Sequence, residues 1–125
     1  MYFKFPEEYH TIDAHNHIWG GSVERMEQLL AAADALGIEQ ICISVPFKDP
    51  VVTPEMFRKA NDAIIEAMNF NKRFLGFCFV DAAAGDDAVA EIDRCIIDHR
   101  AGGSSLRLVG TGTRSCSLRK SAERM

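Results

Sequence analysis

The chain has 125 residues, of which 47% are hydrophobic and 26% are charged, and its net charge is −4. This composition is that of an ordinary globular domain and excludes a disordered or fibrous chain, while the mildly acidic balance gives no reason to expect a nucleic-acid partner. The N-terminus has no apolar signal-peptide core, and nowhere do about 18 consecutive apolar residues occur, so we expect a cytoplasmic protein without membrane contact.

Charge is distributed unevenly along the chain. Residues 1–98 carry 17 acidic and 8 basic side chains, a balance of −9, whereas residues 99–125 carry one acid and six bases, a balance of +5. Residues 101–117 also contain ten Gly, Ser or Thr. We therefore divide the chain into a body, residues 1–100, and an atypical basic tail, residues 101–125, which we expect to be out of frame or truncated. A natural short relative with a basic tail is the alternative.

The first strand and helix are marked by residues at their ends. Thr11–Ile18 has β-forming residues at both ends and is followed by two glycines, which predicts a strand ending in a loop. Ser22 is a suitable N-cap for a helix that ends at Gly37. Apolar residues repeat between these two positions at helical spacing: Met26, Leu29, Leu30, Ala33 and Leu36.

The same alternation continues through the body. Ile38–Val45 predicts a second strand, and Thr53 followed by Pro54 predicts the start of a helix that runs to about Asn69. The continuous apolar run Phe74–Val80 predicts a third strand covered on both faces and ending at Asp81. Asp86 then caps a third predicted helix, whose apolar face contains Val89, Ile92, Ile96 and His99.

Alternating strands and helices imply right-handed crossovers and a parallel α/β sheet. Periodicity alone leaves a doubly wound sheet and a barrel equally open. The chain of 125 residues is about half of the roughly 250 residues of a complete (β/α)₈ barrel, and Leu106–Val109 is the candidate for a fourth strand. Cys42 and Cys78 in predicted strands and Cys95 on a predicted helix are interpreted as reduced structural thiols.

His15 and His17 are the residues that suggest chemistry. Residues two apart on a strand point to the same face, with Cα atoms about 6.5–7 Å apart, so the two imidazoles can share one metal ion. Asp13 falls on that face but deeper, where a carboxylate could orient an imidazole or approach the metal. A histidine pair at a strand end can also have no function. However, ligands of parallel α/β folds bind at the carboxyl ends of strands, which favours metal binding.

The segment Ile12–Trp19, with the sequence Ile-Asp-Ala-His-Asn-His-Ile-Trp, resembles the first-strand signature of the amidohydrolase superfamily. Ala14 and Trp19 make it most similar to the amidohydrolase-related branch, also called amidohydrolase 2. The resemblance covers about residues 10–100, and its weaker parts are Leu36–Ile38, Ala60–Asn61 and Arg73–Phe77 leading into Asp81.

This resemblance implies the N-terminal portion of a TIM-type (β/α)₈ barrel and a divalent metal, zinc first, with iron, nickel or manganese as alternatives. The metal would activate water to hydrolyse an amide, ester or lactone, or would assist decarboxylation of a small-molecule substrate. The resemblance assigns His15 and His17 as metal ligands and Asp13 as an orienting residue. The family's further histidines and its catalytic aspartate come from later strands, and His10 and His99 do not replace them. Catalytic residues are therefore unknown, and we expect an incomplete chain of low activity.

Two departures and two alternatives accompany the resemblance. Ser105–Leu108 stands where relatives often have a Gly-Ile-Lys-Leu-like run, and Arg107 cannot be carboxylated as a bridging lysine can, so a lysine-bridged metal pair is not expected. A metal-dependent phosphoesterase or DNase of a related barrel also begins with Asp-x-His-x-His, but Ile18–Gly21 favours the amidohydrolase-related branch. A noncatalytic α/β fragment is the other alternative. Half a barrel exposes sheet edges, through which we expect self-association.

Overall fold

A computed structural model describes residues 3–18, 22–49 and 51–97, together with the backbone of residues 98 and 103–107. Strands and helices alternate throughout this part of the chain. In order they are β1 (Ile12–His17), α1 (Val23–Leu36), β2 (Gln40–Ser44), α2 (Pro54–Phe70), β3 (Phe74–Asp81), a 3₁₀ turn (Ala82–Ala84), α3 (Asp86–Asp93), a π-helical turn (Arg94–Asp98) and β4 (Gly103–Arg107). None of the helices in these ranges is long and apolar enough to cross a membrane.

The strands form a parallel sheet in the order β1-β2-β3-β4, so each strand pairs with its neighbour in the sequence. A doubly wound sheet reverses its strand order at a switch point. No reversal occurs over these four strands, and this order is that of a (β/α) barrel. The structure therefore resolves the choice that periodicity had left open.

The predicted ends of the first two helices are confirmed. Ser22 Oγ accepts a hydrogen bond from the backbone N–H of Arg25 at 3.3 Å, and Gly37 closes α1 with φ of 76°. Thr53 Oγ1 accepts from the N–H of Met56 at 3.3 Å, and Pro54 is the first residue of α2. These caps satisfy N–H and C=O groups that a helix end leaves unpaired, which is why local sequence specified them.

The third helix begins differently from its prediction. Asp86 is the first residue of α3 and does not cap it; Gly85, at φ of 61°, holds the preceding position. The reason lies at the end of β3, where the Asp81 side chain accepts from the N–H of Ala83 at 2.9 Å and starts the 3₁₀ turn. Ile92 is buried as predicted, but so is Glu91. His99 lies outside the described residues.

The fourth strand also differs from its prediction. It comprises Gly103–Arg107 and pairs with β3 from Phe77 to Asp81, whereas the apolar pattern had placed it at Leu106–Val109. Pairing to an open strand edge depends on backbone hydrogen bonds, so a Gly/Ser-rich segment can take part without an apolar signal. The prediction of a basic tail concerns residues that, from 108 onward, lie outside the described part.

One interpretation of the cysteines is wrong. Cys78 on β3 and Cys95 in the π-helical turn are joined as a disulfide, with Cα atoms 6.5 Å apart. Both are buried, and they are separated by 17 positions, so sequence spacing gave no indication of the contact. Cys42 is a free, buried thiol, as predicted.

Candidate metal centre

His15 and His17 lie at the carboxyl end of β1, and the structure brings their imidazoles together. The two Nε2 atoms are 3.0 Å apart. The ring centroids are 4.7 Å apart, and the ring planes are nearly perpendicular at 84°. His15 is exposed and His17 is half-buried, so the pair faces a space that a small ligand can reach.

The spacing of the two nitrogens fits a shared metal ion. Zinc binds imidazole nitrogen at about 2.0–2.1 Å, so two nitrogens at this separation subtend an angle of about 90° at a common ion. Neutral imidazole nitrogens are also suitable donors for the other divalent ions named above. The pair therefore fits two adjacent positions around one ion.

The rest of the ligand set is not present in the described ranges. Over residues 3–18, 22–49 and 51–97, no group of three His, Cys, Asp or Glu side chains is arranged to hold a metal ion. Asp13 thus does not complete a three-ligand set with His15 and His17. Its assignment as a residue that orients the histidines stays a prediction.

Asp13 instead organises the backbone before the histidines. The register of β1 against β2 shifts between Asp13 and Asn16, which marks a β-bulge. One carboxylate oxygen of Asp13 accepts from the N–H of His15 at 3.1 Å, and the other accepts from the side-chain amide of Asn16 at 3.0 Å. The bulge interrupts the alternation on which the predicted position of Asp13 rested, and Asp13 supports His15 through its main chain.

Ser44 is the site residue that sequence reasoning missed. Its Oγ lies 3.0 Å from Nδ1 of His17, and its carbonyl accepts from the N–H of Ile18 at 3.0 Å. The only signal in the sequence was a hydroxyl near the end of the apolar run Ile41–Val45. The hydroxyl can be assigned to the site only once β1 and β2 are known to be neighbours with His17 opposite Ser44.

The Cys42 thiol and the His10 imidazole also lie on or near these strands. Burial, and then the negative charge of Asp13, raise the pKa of the Cys42 thiol. His10 hydrogen-bonds through Nδ1 to Glu39 at 2.9 Å, as expected for a residue outside the site. Trp19, Gly20 and Gly21 lie outside the described residues.

Comparison with known proteins identifies the fold of the chain through solved structures. No protein-family model matches the chain, and no curated protein matches it. A solved 2,6-dihydroxybenzoate decarboxylase from Rhizobium superposes with a TM-score of 0.68 and 22% identity, over 90% of this chain and 45% of that chain. A 2,6-dihydroxybenzoate decarboxylase in complex with 2,6-dihydroxybenzoate superposes with a TM-score of 0.61 and 22% identity, over 83% of this chain and 41% of that chain. The chain spans less than half the length of these enzymes, and the predicted fold, the N-terminal portion of a TIM-type barrel, is confirmed.

Proposed function

We propose that this chain is the N-terminal portion of a metal-dependent enzyme of the amidohydrolase-related family, in which His15 and His17 hold one divalent ion. The observation that carries this proposal is the 3.0 Å separation of their Nε2 atoms. Its position adds support, since catalytic residues of (β/α) barrels sit at the carboxyl ends of the strands. The first-strand sequence resemblance and the fold likeness point in the same direction.

Decarboxylation of a small carboxylic acid is the first activity to test, and hydrolysis of an amide, ester or lactone is the second. The fold likeness to two decarboxylase structures favours this order. When bound, a divalent ion supplies Lewis-acid stabilisation of negative charge and generates a nucleophile from water at neutral pH. The chain's own contribution is to hold the ion through His15 and His17, with Ser44 and Asp13 supporting them. Zinc is our proposed ion because its sites commonly use imidazole nitrogen.

Two ligands leave most of an ion's coordination positions to water or to groups beyond the described residues. We therefore propose that this chain alone binds its ion weakly and turns over substrate slowly. β1 and β4 are the end strands of the described sheet, and unpaired strand edges promote association between chains. Self-association through these edges is part of the proposal.

Activity assays with matched variants test the proposed function. The purified chain is incubated with zinc or manganese and, separately, with 2,6-dihydroxybenzoate, a panel of esters and lactones, and a phosphodiester. We expect slow, metal-dependent decarboxylation or hydrolysis that is lost in His15→Ala and His17→Ala but retained in His10→Ala. His10 is a suitable control because it pairs with Glu39 away from the site.

Two results would contradict the proposal. Metal-dependent cleavage of the phosphodiester that disappears with the same two substitutions would assign the chain to a phosphoesterase instead. Absence of turnover combined with absence of metal binding would support a noncatalytic α/β fragment.

A further inference from the structure

Ser44 and His17 face each other across two neighbouring strands. The ladder of β1 and β2 places His17 directly opposite Ser44, and the Oγ–Nδ1 distance is 3.0 Å. The Ser44 carbonyl also accepts from the N–H of Ile18 at 3.0 Å. Ser44 is therefore fixed next to the imidazole by its main chain as well as by its side chain.

The pair of histidines leaves two proton arrangements open when no metal is bound. A serine hydroxyl can either donate or accept. In the first arrangement, His17 donates from Nδ1 to Ser44 and accepts at Nε2 from His15. In the second arrangement, Ser44 donates to Nδ1 of His17, and His17 donates from Nε2 to His15. Both satisfy the two observed 3.0 Å contacts.

Metal binding allows only the proton position that His17 has in the first arrangement, and the hydrogen bond from His15 is then lost, because both Nε2 atoms must be unprotonated to share the ion. An imidazole ligates an ion through an unprotonated nitrogen, and the Nε2 atom of His17 is the one that faces His15. The proton of the neutral ring must then be on Nδ1, where Ser44 Oγ accepts it. Metal-bound histidines usually have such a partner on the other ring nitrogen, and loss of that partner typically costs 10–100-fold in affinity.

We propose that Ser44 is a positioning residue for His17, which holds the imidazole with its proton on Nδ1 and its Nε2 directed to the ion. This inference rests on the proposed function, because it presumes that His17 is a ligand. It assigns a role to a β2 residue that the first-strand motif does not contain. It also explains why a hydroxyl follows Ile43 near the end of the otherwise apolar run Ile41–Val45.

The test uses Ser44→Val and Ser44→Thr as a matched pair. The two side chains have the same shape and both suit a strand, but only Thr keeps the hydroxyl. Nitrogen-15 spectra of the ring, recorded at mildly alkaline pH without metal, report which nitrogen of His17 carries the proton. Zinc affinity is measured by competition with a chromophoric chelator, and backbone amide spectra confirm that each variant is folded. Ser44→Ala serves as a third variant if Val disturbs the strand.

We expect Ser44→Val to weaken zinc binding at least tenfold and to shift His17 away from the Nδ1–H form, with Ser44→Thr within about threefold of wild type, in line with the usual effect of such partners. Unchanged ring spectra in Ser44→Val overturn the inference whether or not zinc binds. Wild-type zinc affinity in Ser44→Val overturns it while leaving the proposed function intact. If the wild-type chain binds no zinc, the proposed function fails together with the metal-directed role of Ser44, even where the ring spectra still respond.

Discussion

The side-chain amide of Asn61 on α2 pairs with the main chain of Phe79 on β3. Its Nδ2 donates to the Phe79 carbonyl at 2.8 Å, and its Oδ1 accepts from the Phe79 N–H at 2.8 Å. The Arg73 carbonyl, directly before β3, accepts a hydrogen bond from the N–H of Ile41 on β2. The backbone groups of every second residue along a strand point to the same side, so those of Phe79 also point toward β2. β2 ends at Ser44 and its pairing with β3 reaches only Gly76. Asn61 therefore provides Phe79 with the hydrogen bonds that β2 would provide if it continued.

Removing this amide should destabilise the fold. Asn61 is 1% exposed and also donates to the buried Glu91 at 2.9 Å. Asn61→Ala leaves the Phe79 N–H and C=O without these partners, and each buried unsatisfied group costs about 1–3 kcal/mol. We expect a loss of about 3 kcal/mol in the free energy of unfolding, measured by urea denaturation.

Asn69, exposed on the same helix, provides the control, because surface substitutions usually change stability by less than about 0.5 kcal/mol. Asn61→Asp should be no better than Asn61→Ala, since it lacks the donor and places a second carboxylate beside Glu91. Equal stability of Asn61→Ala and Asn69→Ala would show that the Asn61 amide does not replace the hydrogen bonds that Phe79 lacks beyond the end of β2.

Gly76 on β3 is required by the closeness of α2. A Cβ atom built at Gly76 would lie against Ile64 Cγ2 and Met68 Sδ, closer than such contacts occur in real structures. We expect Gly76→Ala to cost about 1–3 kcal/mol through overpacking, measured by thermal denaturation. Truncating the obstructing side chain in Gly76→Ala/Ile64→Ala should cost less than the sum of the two single substitutions. Simple additivity would contradict the close approach.

The Cys78–Cys95 bond gives a chemical prediction. Peptide mapping of the unreduced chain should recover the peptides of Cys78 and Cys95 linked together. Because the bond closes a loop across 17 positions, its reduction should lower the free energy of unfolding by about 3 kcal/mol. Cys78→Ala/Cys95→Ala should show no response to reductant. Alkylation of both cysteines in the denatured, unreduced chain would contradict the bond and would suit the predicted cytoplasmic location, where thiols are mostly reduced.

His10 should titrate at a higher pH than an ordinary histidine. Its hydrogen bond to Glu39, and then the negative charge of that carboxylate, raise its pKa above the usual value of about 6.5. The pair therefore stabilises the fold below that pH, and its contribution is lost as pH rises through the higher folded-state pKa. Its side chain is 86% exposed, so the effect on stability is small, and proton NMR of the ring is the suitable measurement. Glu39→Gln should lower the pKa of His10; identical titrations in both proteins would exclude the pairing.

Local signals explain which features the sequence predicted well. Ser22, Gly37, Thr53 and Pro54 act on groups a few residues away, so their roles at the helix ends could be inferred without any tertiary information. His15 and His17 belong to this class as well, since residues two apart on one strand point to the same face.

The missed features depend on contacts between residues far apart in the chain. Asn61 meets Phe79 across 18 positions, and Ser44 meets His17 across 27. Neither contact has a periodic pattern, because each depends on the register between packed elements. The burial of Glu91 was missed for the same reason, because its partner Asn61 is 30 positions away, although its ion pair with Arg94 is local.

The metal affinity of the two-histidine pair tests the central claim most directly. Zinc binding is measured by competition with a chromophoric chelator for wild type, His15→Ala, His17→Ala and the control His10→Ala, with folding checked by backbone amide spectra. We expect weak binding to wild type and His10→Ala, and at least tenfold weaker binding to both site variants, because each would lose one of the two proposed ligands, whose Nε2 atoms are 3.0 Å apart. Zinc affinity that is unchanged in either His15→Ala or His17→Ala would contradict a shared ion at this pair.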